Sequence, residues 1–543
     1  MNAVKKQAKH FIEFHNVSKS FPLKTNKREL LNVLSDINLS VNKGEFVSIV
    51  GASGSGKTTI LKLISGIIQP TSGTVLIGGE AVHNLRRDTG NVFQKPILLP
   101  WRNVLKNILL PVEIIKNDIS REDEIKAQEL IETMGLGGTH RMYPHELSGG
   151  MQQRVAIARA LILDPEILLL DEPFGALDSI TRERLNLLLL ELWEKTKKTV
   201  IFVTHSISEA VLLSTRIVVI SKSPGTIHEI VDIKAEKKGT ARSIFSSGYI
   251  SRTVLDVRRK IKSVWVKEIR GDIRDILVPA KKKSFSKQLL KNYEYFLIPA
   301  GILIFLCIWS LIVRISNLPD FILPVPKNVI NRFVTAYQEG LIIPNFSVTA
   351  YESLLGFLLG CSIAFPFGYI LAKFRTAERL FSPYIVAMQA IPIVALAPIL
   401  IIWFGFGVKT KVLTAALVIF FPVLINSIVG IRSADREIME LMTSLNAGPF
   451  KTFFKLELPS ALPVLFGGLK IGITFSVIGA VVGEFLGSSV GLGAMVNMAR
   501  ASFDTALVFV SIILLGVMGI LFYLIMSLLE YVILGKHVKK EIS

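Results

Sequence analysis

The pattern of apolar and polar positions divides the chain near residue 295. Before that point, short apolar runs alternate with charged helical segments, which is typical of a soluble domain of alternating strands and helices. After it, apolar stretches approach the roughly 20 residues that a helix needs to cross a bilayer. Six are predicted as spans: 296–313, 354–372, 383–404, 412–429, 465–486 and 507–531. The third is hardest to delimit and also fits two shorter segments. The sequence therefore predicts an α/β domain followed by an all-α polytopic membrane domain.

Composition supports this division. The chain has 543 residues, of which 50% are hydrophobic and 19% charged, and its mean hydropathy is +0.49. So much apolar surface excludes a long disordered chain and disfavours an ordinary soluble enzyme. Cys307 and Cys361 both lie in apolar runs and cannot form a disulfide framework. The first twenty residues contain no apolar stretch of signal-peptide length, so we expect a cytosolic N-terminus.

The net charge of +19 raises the question of nucleic-acid binding. The basic residues instead follow the positive-inside tendency, because with six spans their clusters all fall on the cytosolic side. These clusters are the linker 241–291 with Lys281, Lys282 and Lys283, the turn 373–379, the loop 432–455 and the tail residues Lys536, Lys539 and Lys540. Lys409 and Lys411, expected on a short outer turn, are exceptions. We therefore expect the linker to contact anionic membrane lipid and expect no nucleic-acid partner.

A glycine-rich loop follows the short β-rich run 46–50. It reads Gly51-Ala52-Ser53-Gly54-Ser55-Gly56-Lys57-Thr58, and Thr59 continues into a helical segment. This strand, loop and helix start match the phosphate-loop pattern in full. Glycines let backbone N–H groups point at phosphate oxygens, Lys57 adds a full positive charge, and the Thr58 hydroxyl can bind Mg²⁺. The alternative, a flexible Gly/Ser turn, fits this context poorly.

A second candidate group lies more than a hundred residues further on. The aliphatic run 167–170 is typical of a buried parallel strand, and Asp171 and Glu172 follow it directly. A carboxylate at that end of a strand can hold Mg²⁺ beside the phosphate loop, and the next one can orient or deprotonate an attacking water. Taken alone, the pair would fit a strand-to-loop cap. Together with the phosphate loop it predicts a nucleotide-hydrolysing site.

Between these two motifs, Leu147-Ser148-Gly149-Gly150-Met151-Gln152-Gln153-Arg154 leads into an apolar-periodic helix. This segment makes the resemblance specific: the chain resembles an ATP-binding cassette (ABC) ATPase. The resemblance covers about residues 11–233. The resemblance implies that residues 147–154 contain the family's signature motif. Met151 stands where the family usually has Gln, whereas Ser148, Gly149 and Gly150 match the motif. The resemblance also implies ATP and Mg²⁺ as cofactors, a P-loop α/β fold, and ATP hydrolysis coupled to transport.

The same resemblance adds four residues to the expected site. It implies that Gln94 senses the γ-phosphate, contacts Mg²⁺ and touches the membrane domain, and that His205 is the switch histidine. It also implies that Asp178 belongs to the D-loop and that Phe21 stacks on adenine. In the family, the signature of one cassette covers the nucleotide held by the phosphate loop of another. A homodimer of this chain is the simplest source of the second cassette, and a second fused chain is the alternative.

The loop 432–463 between two predicted spans contains two amphipathic helical pieces with a break at 446–449. It resembles the cytosolic coupling loop of ABC importer permeases, which docks in a soluble domain and carries motion into the spans. The family normally has Gly at the break, where this chain has Asn446. Asparagine tolerates the left-handed backbone conformation better than most residues, so we expect the turn to persist. A merely interfacial hairpin is the alternative.

Further segments resemble a subfamily. The runs 99–105 and 391–407 resemble nitrate, taurine and sulfonate importers, and 391–407 with 479–485 also resembles members proposed to carry aromatic heterocycles. Pro392, Pro398 and Pro422 should kink or break their helices. Glu484 has two readings, an intramembrane functional acid or an acid that reaches the outer interface. Nearby glycines such as Gly479 and Gly483 are expected to serve close helix packing.

The resulting prediction is a fused half-transporter of the type I importer kind. Its expected parts are a cassette at 1–240, a basic linker at 241–291 and a permease at 292–543. It would import a nitrate-, sulfonate- or taurine-like solute from an extracytoplasmic binding protein across the inner membrane of a prokaryote, with the ATPase domain in the cytosol. The alternatives are import of a pyrimidine or flavin precursor, and a non-importing ABC exporter or sensor.

Overall fold

The structure, a computed structural model, describes residues 10–22, 29–222, 224–233, 254, 294–316 and 319–542. Apart from Val254, the predicted linker with Lys281, Lys282 and Lys283 lies outside these residues, as do the side chains of the basic tail at Lys536, Lys539 and Lys540. The chain forms two compact units, Met1–Val278 with Asp435–Phe453, and Pro279–Ala434 with Phe454–Ser543. The loop segment at 435–453 therefore belongs with the N-terminal unit.

The N-terminal unit contains two sheets. The first is antiparallel with strand order β2-β1-β4-β5, where the strands are β1 (Ile12–Pro22), β2 (Leu30–Val41), β4 (Ser72–Ile77) and β5 (Glu80–Ala81). The second has order β10-β9-β3-β8-β7-β6 and is parallel except for β10. Its strands are β3 (Phe46–Gly51), β6 (Thr89–Val92), β7 (Ile167–Asp171), β8 (Thr199–Thr204), β9 (Arg216–Ile220) and β10 (Ile227–Asp232).

The parallel sheet is buried on both faces, which explains its unbroken apolar runs. Successive residues of β8 enter different hydrophobic clusters: Phe202 packs in one, and Ile201 and Val203 pack in the other. Helices cover the sheet, namely α1 (Lys57–Ile64), α2 (Val104–Ile108), α3 (Leu110–Lys116), α4 (Arg121–Thr133), α5 (Gly149–Leu161), α6 (Ser179–Thr196) and α7 (Ile207–Leu213). The predicted α/β architecture is confirmed.

Helices make up the second unit, and several of them are long and apolar, as predicted. They are α8 (Glu294–Ser316), α9 (Pro326–Gln338), α10 (Ile342–Lys373), α11 (Arg375–Ala390), α12 (Ile393–Phe404), α13 (Val408–Arg432), α16 (Leu458–Phe485), α17 (Leu492–Ala501) and α18 (Thr505–Ile542). Among the described residues, four helices are long and apolar enough to cross a membrane, or five if one bent pair counts as a span. The first predicted span lies in α8, whose Leu303–Ile315 is a shorter apolar segment.

The bent pair is the predicted span 383–404, which the structure divides into α11 and α12 at an angle of 96°. The break falls at Ile391 and Pro392, because proline has no N–H to donate and disfavours helical geometry in the residue before it. Pro398 and Pro422 instead lie inside α12 and α13. The expectation that this segment could be two shorter helices is therefore confirmed.

Helices α13 and α16 approach each other closely. A Cβ atom on Gly479 would lie 2.5 Å from Cα of Ala415, and one on Gly483 would lie 2.9 Å from Cα of Lys411. Such distances are too short for any side chain, so these glycines serve helix packing, as expected. The expectation that Lys411 lies on an outer turn is wrong, because Lys411 lies within α13 and is buried. Glu484, for which two alternatives were open, is buried as well.

Candidate functional site

The phosphate loop occupies the turn between β3 and α1. Gly54 and Gly56 have φ values of +76° and +90°, a region that side chains disfavour. A Cβ on Gly56 would also lie 2.5 Å from Cδ2 of Leu34 on β2. Glycine is therefore required at position 56 both for the backbone angle and for the space. The loop leads directly into α1, which begins at Lys57, as the sequence predicted.

Inside the loop, the ammonium group of Lys57 folds back over the backbone. Its Nζ donates to the carbonyl oxygens of Gly51 and Ala52, each at 2.9 Å, and the side chain is 6% exposed. The buried Ser55 hydroxyl has no hydrogen-bond partner among the described residues, whereas Ser53 is exposed and Thr59 half-buried. A buried cation and an unpaired hydroxyl beside a helix start fit a phosphate anion.

Thr58 and Asp171 meet at the carboxyl end of β7. The Thr58 hydroxyl donates to Oδ2 of Asp171 at 2.8 Å. Burial raises the pKa of the Asp171 carboxyl, and the Thr58 hydrogen bond partly opposes this. A hydroxyl and one carboxylate are oxygen ligands that suit Mg²⁺, which commonly takes its remaining ligands from phosphate and water. In the described part of the chain, no group of three His, Cys, Asp or Glu side chains forms a metal site independent of a nucleotide.

Glu172 is held from several directions. Its backbone has a φ of +43°, which is unusual for a glutamate, and its N–H donates to the Val203 carbonyl at 2.9 Å. Its Oε1 lies 3.7 Å from Nζ of Lys57, and its Oε2 lies 3.3 Å from Nδ1 of His205. The structure thus brings together Lys57, Glu172 and His205, which the sequence supplies from three distant segments.

Gln94 follows β6 of the parallel sheet, and Phe21 lies on β1 of the antiparallel sheet. Val92 pairs with Leu170 in the parallel sheet, so Gln94, two residues later, leaves at the same sheet edge as Asp171. Gln94 is exposed, and within the described residues no hydrogen bond joins it to either carboxylate. Phe21 pairs with Leu31 of β2, the strand whose Leu34 touches the phosphate loop, and Lys19 Nζ lies 5.1 Å from the Phe21 ring centre.

The signature segment lies elsewhere in the unit. Ser148 caps α5, because its hydroxyl accepts the Met151 N–H at 3.4 Å. A Cβ on Gly149 would lie 3.7 Å from Leu177, and one on Gly150 would clash with Thr181. These neighbours belong to the D-loop and the start of α6, so in the part of the chain that the structure describes the signature packs beside the D-loop of its own chain.

Asp178 caps α6 by accepting the Thr181 N–H at 3.0 Å, and this backbone hydrogen bond lowers the pKa of its carboxyl. The departure from the usual signature is also accommodated. Gln152 turns back and donates to the Pro144 carbonyl at 2.8 Å, while Met151 packs against the core. The position next to the usual glutamine therefore braces the segment that precedes Ser148.

The segment 435–453 packs on the cassette through contacts that sequence reasoning missed. It forms α14 (Arg436–Ser444) and α15 (Pro449–Thr452), joined at Asn446, whose φ is +55°. The predicted pair of helices and the left-handed turn at Asn446 are both confirmed. Because the partners are more than 300 residues apart, only the acidic face of α14 and the basic residues of α1 hinted at the contact.

Two ion pairs fix α14. Nζ of Lys62 on α1 lies 3.0 Å from Oε2 of Glu440, and Nζ of Lys95 lies 2.7 Å from Oε1 of Glu437. The hydrogen bond to Glu437 raises the pKa of the Lys95 ammonium. Lys62 stands one helical turn after Thr58, and Lys95 directly follows Gln94. The coupling element, residues 435–453, is thus bound by two lysines that stand one helical turn after Thr58 and directly after Gln94.

Comparison with known proteins agrees with this geometry. Residues 34–175 match the family described as ABC transporter, and residues 364–535 match the binding-protein-dependent transport system inner membrane component. An uncharacterized ABC transporter ATP-binding protein of Methanocaldococcus jannaschii is 45% identical over 264 residues, 48% of this chain and 94% of the relative. The chain belongs to the ABC transporter family.

Two further relatives carry substrate names. An aliphatic sulfonates import ATP-binding protein of Bacillus cereus is 45% identical over 226 residues, 41% of this chain and 86% of that protein. A nitrate import ATP-binding protein of Synechococcus elongatus is 43% identical over 229 residues, covering 42% and 82%. The ABC cassette therefore binds and hydrolyses ATP in a reaction coupled to transport, and the helical unit makes the protein a multi-pass membrane protein.

Proposed function

We propose that this ABC transporter imports a small solute across the inner membrane of a prokaryote, with its cassette in the cytosol. The observation that carries the proposal is the union on one chain of a cassette with a segment matching the membrane component of binding-protein-dependent systems. An extracytoplasmic binding protein would deliver the solute. The names of the two substrate-assigned relatives support a solute that is nitrate or carries a sulfonate group, as taurine does.

The roles proposed for the site residues follow from their contacts. Lys57, Ser55 and the N–H groups from Gly51 to Thr59 bind the phosphates of ATP. Thr58 and Asp171 would hold Mg²⁺, which supplies positive charge against the phosphate oxygens. Their 2.8 Å contact supports this pairing.

Glu172 is proposed as the group that orients or deprotonates the attacking water. Two neighbours hold its carboxylate, with Lys57 near one oxygen and His205 near the other. His205 is the proposed switch histidine, because its ring nitrogen Nδ1 contacts the Glu172 carboxylate and a movement of the ring would break that contact. Gln94 completes the set from the same sheet edge, and Phe21 is proposed to stack on the adenine.

A dimer of two identical chains is part of the proposal. Ser148, Gly149 and Gly150 lie beside the D-loop of their own chain, with Leu177 and Thr181 as neighbours. If they serve a nucleotide, it is the one held by a partner's phosphate loop, and Asp178 then faces the partner as well. Each active site would thus need both chains.

The proposed coupling route runs through the coupling element. Lys62 lies on the helix that begins at the phosphate loop, and Lys95 follows Gln94, so movement at the nucleotide reaches Glu440 and Glu437 directly. The proposed division of the chain is a cassette at 1–240, a linker at 241–291 and a permease at 292–543, with the coupling element of the permease docked on the cassette.

The test reconstitutes the full chain in lipid nanodiscs and measures ATP hydrolysis with extracytoplasmic binding proteins of the same organism. These proteins are loaded in parallel with taurine, an alkanesulfonate, nitrate or a pyrimidine. We expect ATP hydrolysis to rise severalfold with one anion-loaded protein, and labelled solute to accumulate in proteoliposomes. Stimulation by the pyrimidine-loaded protein would assign the other substrate class. ATP hydrolysis without any stimulation or accumulation would contradict import.

A further inference from the structure

A cluster of three charged side chains is buried in the membrane unit. Glu352 of α10 is fully buried, Lys411 of α13 is 7% exposed and Glu484 of α16 is 1% exposed. Nζ of Lys411 lies 2.7 Å from Oε1 of Glu352 and donates to the Ser488 hydroxyl at 2.8 Å. The cluster lies near the start of α13 and the end of α16, the ends remote from the coupling element along the chain.

The side chain of Glu484 is surrounded by hydrogen-bond donors, which suit an ionised carboxylate. Its Oε1 accepts the Thr349 hydroxyl at 2.6 Å, and its Oε2 accepts the N–H of Gly493 at 2.6 Å. Gly493 stands in the first turn of α17, where backbone N–H groups favour a negative charge. Both oxygens of Glu484 therefore have donors before any proton is added.

Glu352 is different. Its Oε1 accepts from Lys411, but its Oε2 is buried without a hydrogen-bond donor in the part of the chain that the structure describes. The carboxyl of Glu484, which offers only acceptors when ionised, lies beside Glu352, because it accepts from Thr349, which stands about one helical turn before Glu352 on α10. Two carboxylate oxygens cannot bond each other, and an unpaired oxygen at this depth is costly.

Charge balance points the same way. Among the described residues of α10, α13, α16 and α17, the charged side chains that are buried are Glu352, Lys411 and Glu484, whereas Lys409 and Arg500 on the same helices are exposed. With both carboxylates ionised, the cluster would bear an uncompensated negative charge in a membrane-spanning unit, where such a charge is expensive. One proton removes the excess charge and supplies the missing donor.

We propose that Glu352 holds a proton on Oε2 and donates it to the Glu484 carboxylate, forming a proton-binding site among the spans. Lys411 then balances the charge of Glu484. The hydrogen bond from Glu352 links α10 to α16, Glu484 links α16 to α17, and Lys411 links α13 to the loop that follows α16. The bound proton thus ties together the ends of these helices remote from the coupling element. This site is independent of the proposed import function.

The test uses the full chain in nanodiscs and infrared spectroscopy of the carboxylic acid C=O stretch, which a carboxylate lacks. Glu352→Gln is an isosteric mimic of the protonated acid, because its amide oxygen can accept from Lys411 and its NH₂ can donate to Glu484. We expect the acid band of the parent to be lost in Glu352→Gln, while the thermal unfolding midpoint does not fall. The band should shift in ²H₂O.

Glu530→Gln is the matched control. Glu530 also lies in an apolar helix and pairs with a lysine, Lys470, at 2.6 Å, but no second carboxyl is part of that pair, so its removal should leave the acid band in place. A spectrum in which Glu352→Gln removes no acid band would overturn the proposal. A Glu352→Gln protein that unfolds well below the parent, while Glu530→Gln does not, would also count against it. Neither measurement depends on solute import.

Discussion

At the scale of single residues, the nucleotide site is organised around carboxylates with different environments. Asp171 is buried beside Thr58, whereas Glu172 lies between Lys57 and His205. The first therefore suits a cation and the second suits proton transfer. Each assignment can be tested with an isosteric amide, which keeps the shape and removes the charge.

Glu172→Gln should reduce ATP hydrolysis by about 10²- to 10⁴-fold, because the amide cannot take a proton from water. ATP binding should be retained, since Lys57 and the loop backbone are untouched. Phosphate release and nucleotide binding by the full chain in nanodiscs measure both quantities. Glu166→Gln is the control, because Glu166 pairs with Lys43 on the surface. Unchanged hydrolysis in Glu172→Gln would refute its role as the base.

Asp171→Asn should stabilise the nucleotide-free cassette while it impairs hydrolysis. Burial raises the pKa of Asp171, so the folded state binds its proton more strongly than the unfolded state does. The free energy of unfolding therefore decreases as the pH rises from the pKa of Asp171 in the unfolded chain to its higher pKa in the folded chain. At neutral pH the buried, ionised Asp171 carboxylate is unfavourable for folding. Calorimetry should be carried out from about pH 4, near the ordinary pKa of a carboxyl group, to about pH 8. It should follow the unfolding transition that ATP shifts, and at neutral pH the midpoint of that transition should be higher for the variant.

The variant Asp123→Asn should shift the unfolding midpoint at neutral pH in the opposite direction. The Lys116 hydrogen bond, with help from Ser120, lowers the pKa of Asp123, so its stabilising contribution is present at neutral pH and is lost as the pH falls through the folded pKa. This variant should therefore lower the midpoint at neutral pH and converge with the parent in acid. If both variants shifted the midpoint in the same direction at neutral pH, the environment assigned to Asp171 would be wrong.

At the scale of elements, the coupling element depends on charge pairing as well as shape. Glu440→Lys replaces the carboxylate that lies 3.0 Å from Nζ of Lys62 with a second cation. Exposed pairs contribute only ~0.2–1 kcal/mol each, so we expect a two- to fivefold rise in amide hydrogen exchange across α14, and no global unfolding. The double variant Lys62→Glu with Glu440→Lys should restore protection.

Lys43→Glu is the control for that experiment, since it breaks the Lys43–Glu166 pair on a different surface of the same unit. It should leave exchange in α14 unchanged. Exchange in α14 that stays at the parent level in Glu440→Lys would mean that the ion pairs do not hold the element.

What the sequence could and could not predict is also clearest at this scale. Local patterns correctly indicated the phosphate loop, the buried strand ahead of Asp171 and the break at Asn446, because backbone preferences decide each of them. Pairings across the chain were not predictable in this way. Lys411 was expected on an outer turn, since a lone sequence shows a lysine near a span end but not the Glu352 that faces it from another helix.

At the scale of the whole molecule, the position of the signature decides how many chains an active site needs. Lys57 and Ser148 are on one chain, yet Gly149 and Gly150 beside Ser148 contact the D-loop end of α6. If the site is shared, each dimer has two sites, and each combines the Lys57 of one chain with the Ser148 of the other. A dimer is then the smallest active form.

This arrangement predicts that two inactive variants rescue each other. Lys57→Ala removes the phosphate ligand, and Ser148→Arg blocks the exposed cap of the signature, so each variant alone should form dimers with no working site. A mixed dimer would contain one intact site, built from the Lys57 of the Ser148→Arg chain and the Ser148 of the Lys57→Ala chain. Co-expression at equal levels should restore hydrolysis to about a quarter of the parent rate, because half of the dimers are mixed and each has one of two sites. Mixed dimers isolated from that mixture should reach about half of the parent rate.

The matched control combines both substitutions in one chain and pairs that chain with the parent. Such a mixed dimer has no intact site if sites are shared between chains, because each site then receives one damaged half. If each chain instead carried its own complete site, the same mixed dimer would keep one working site, and the two single variants would never rescue each other. Differently tagged copies, purified through both tags and assayed for phosphate release, separate these outcomes. If the sites are shared, the two single variants should restore ATP hydrolysis when they are combined. The doubly substituted chain paired with the parent should then show no ATP hydrolysis.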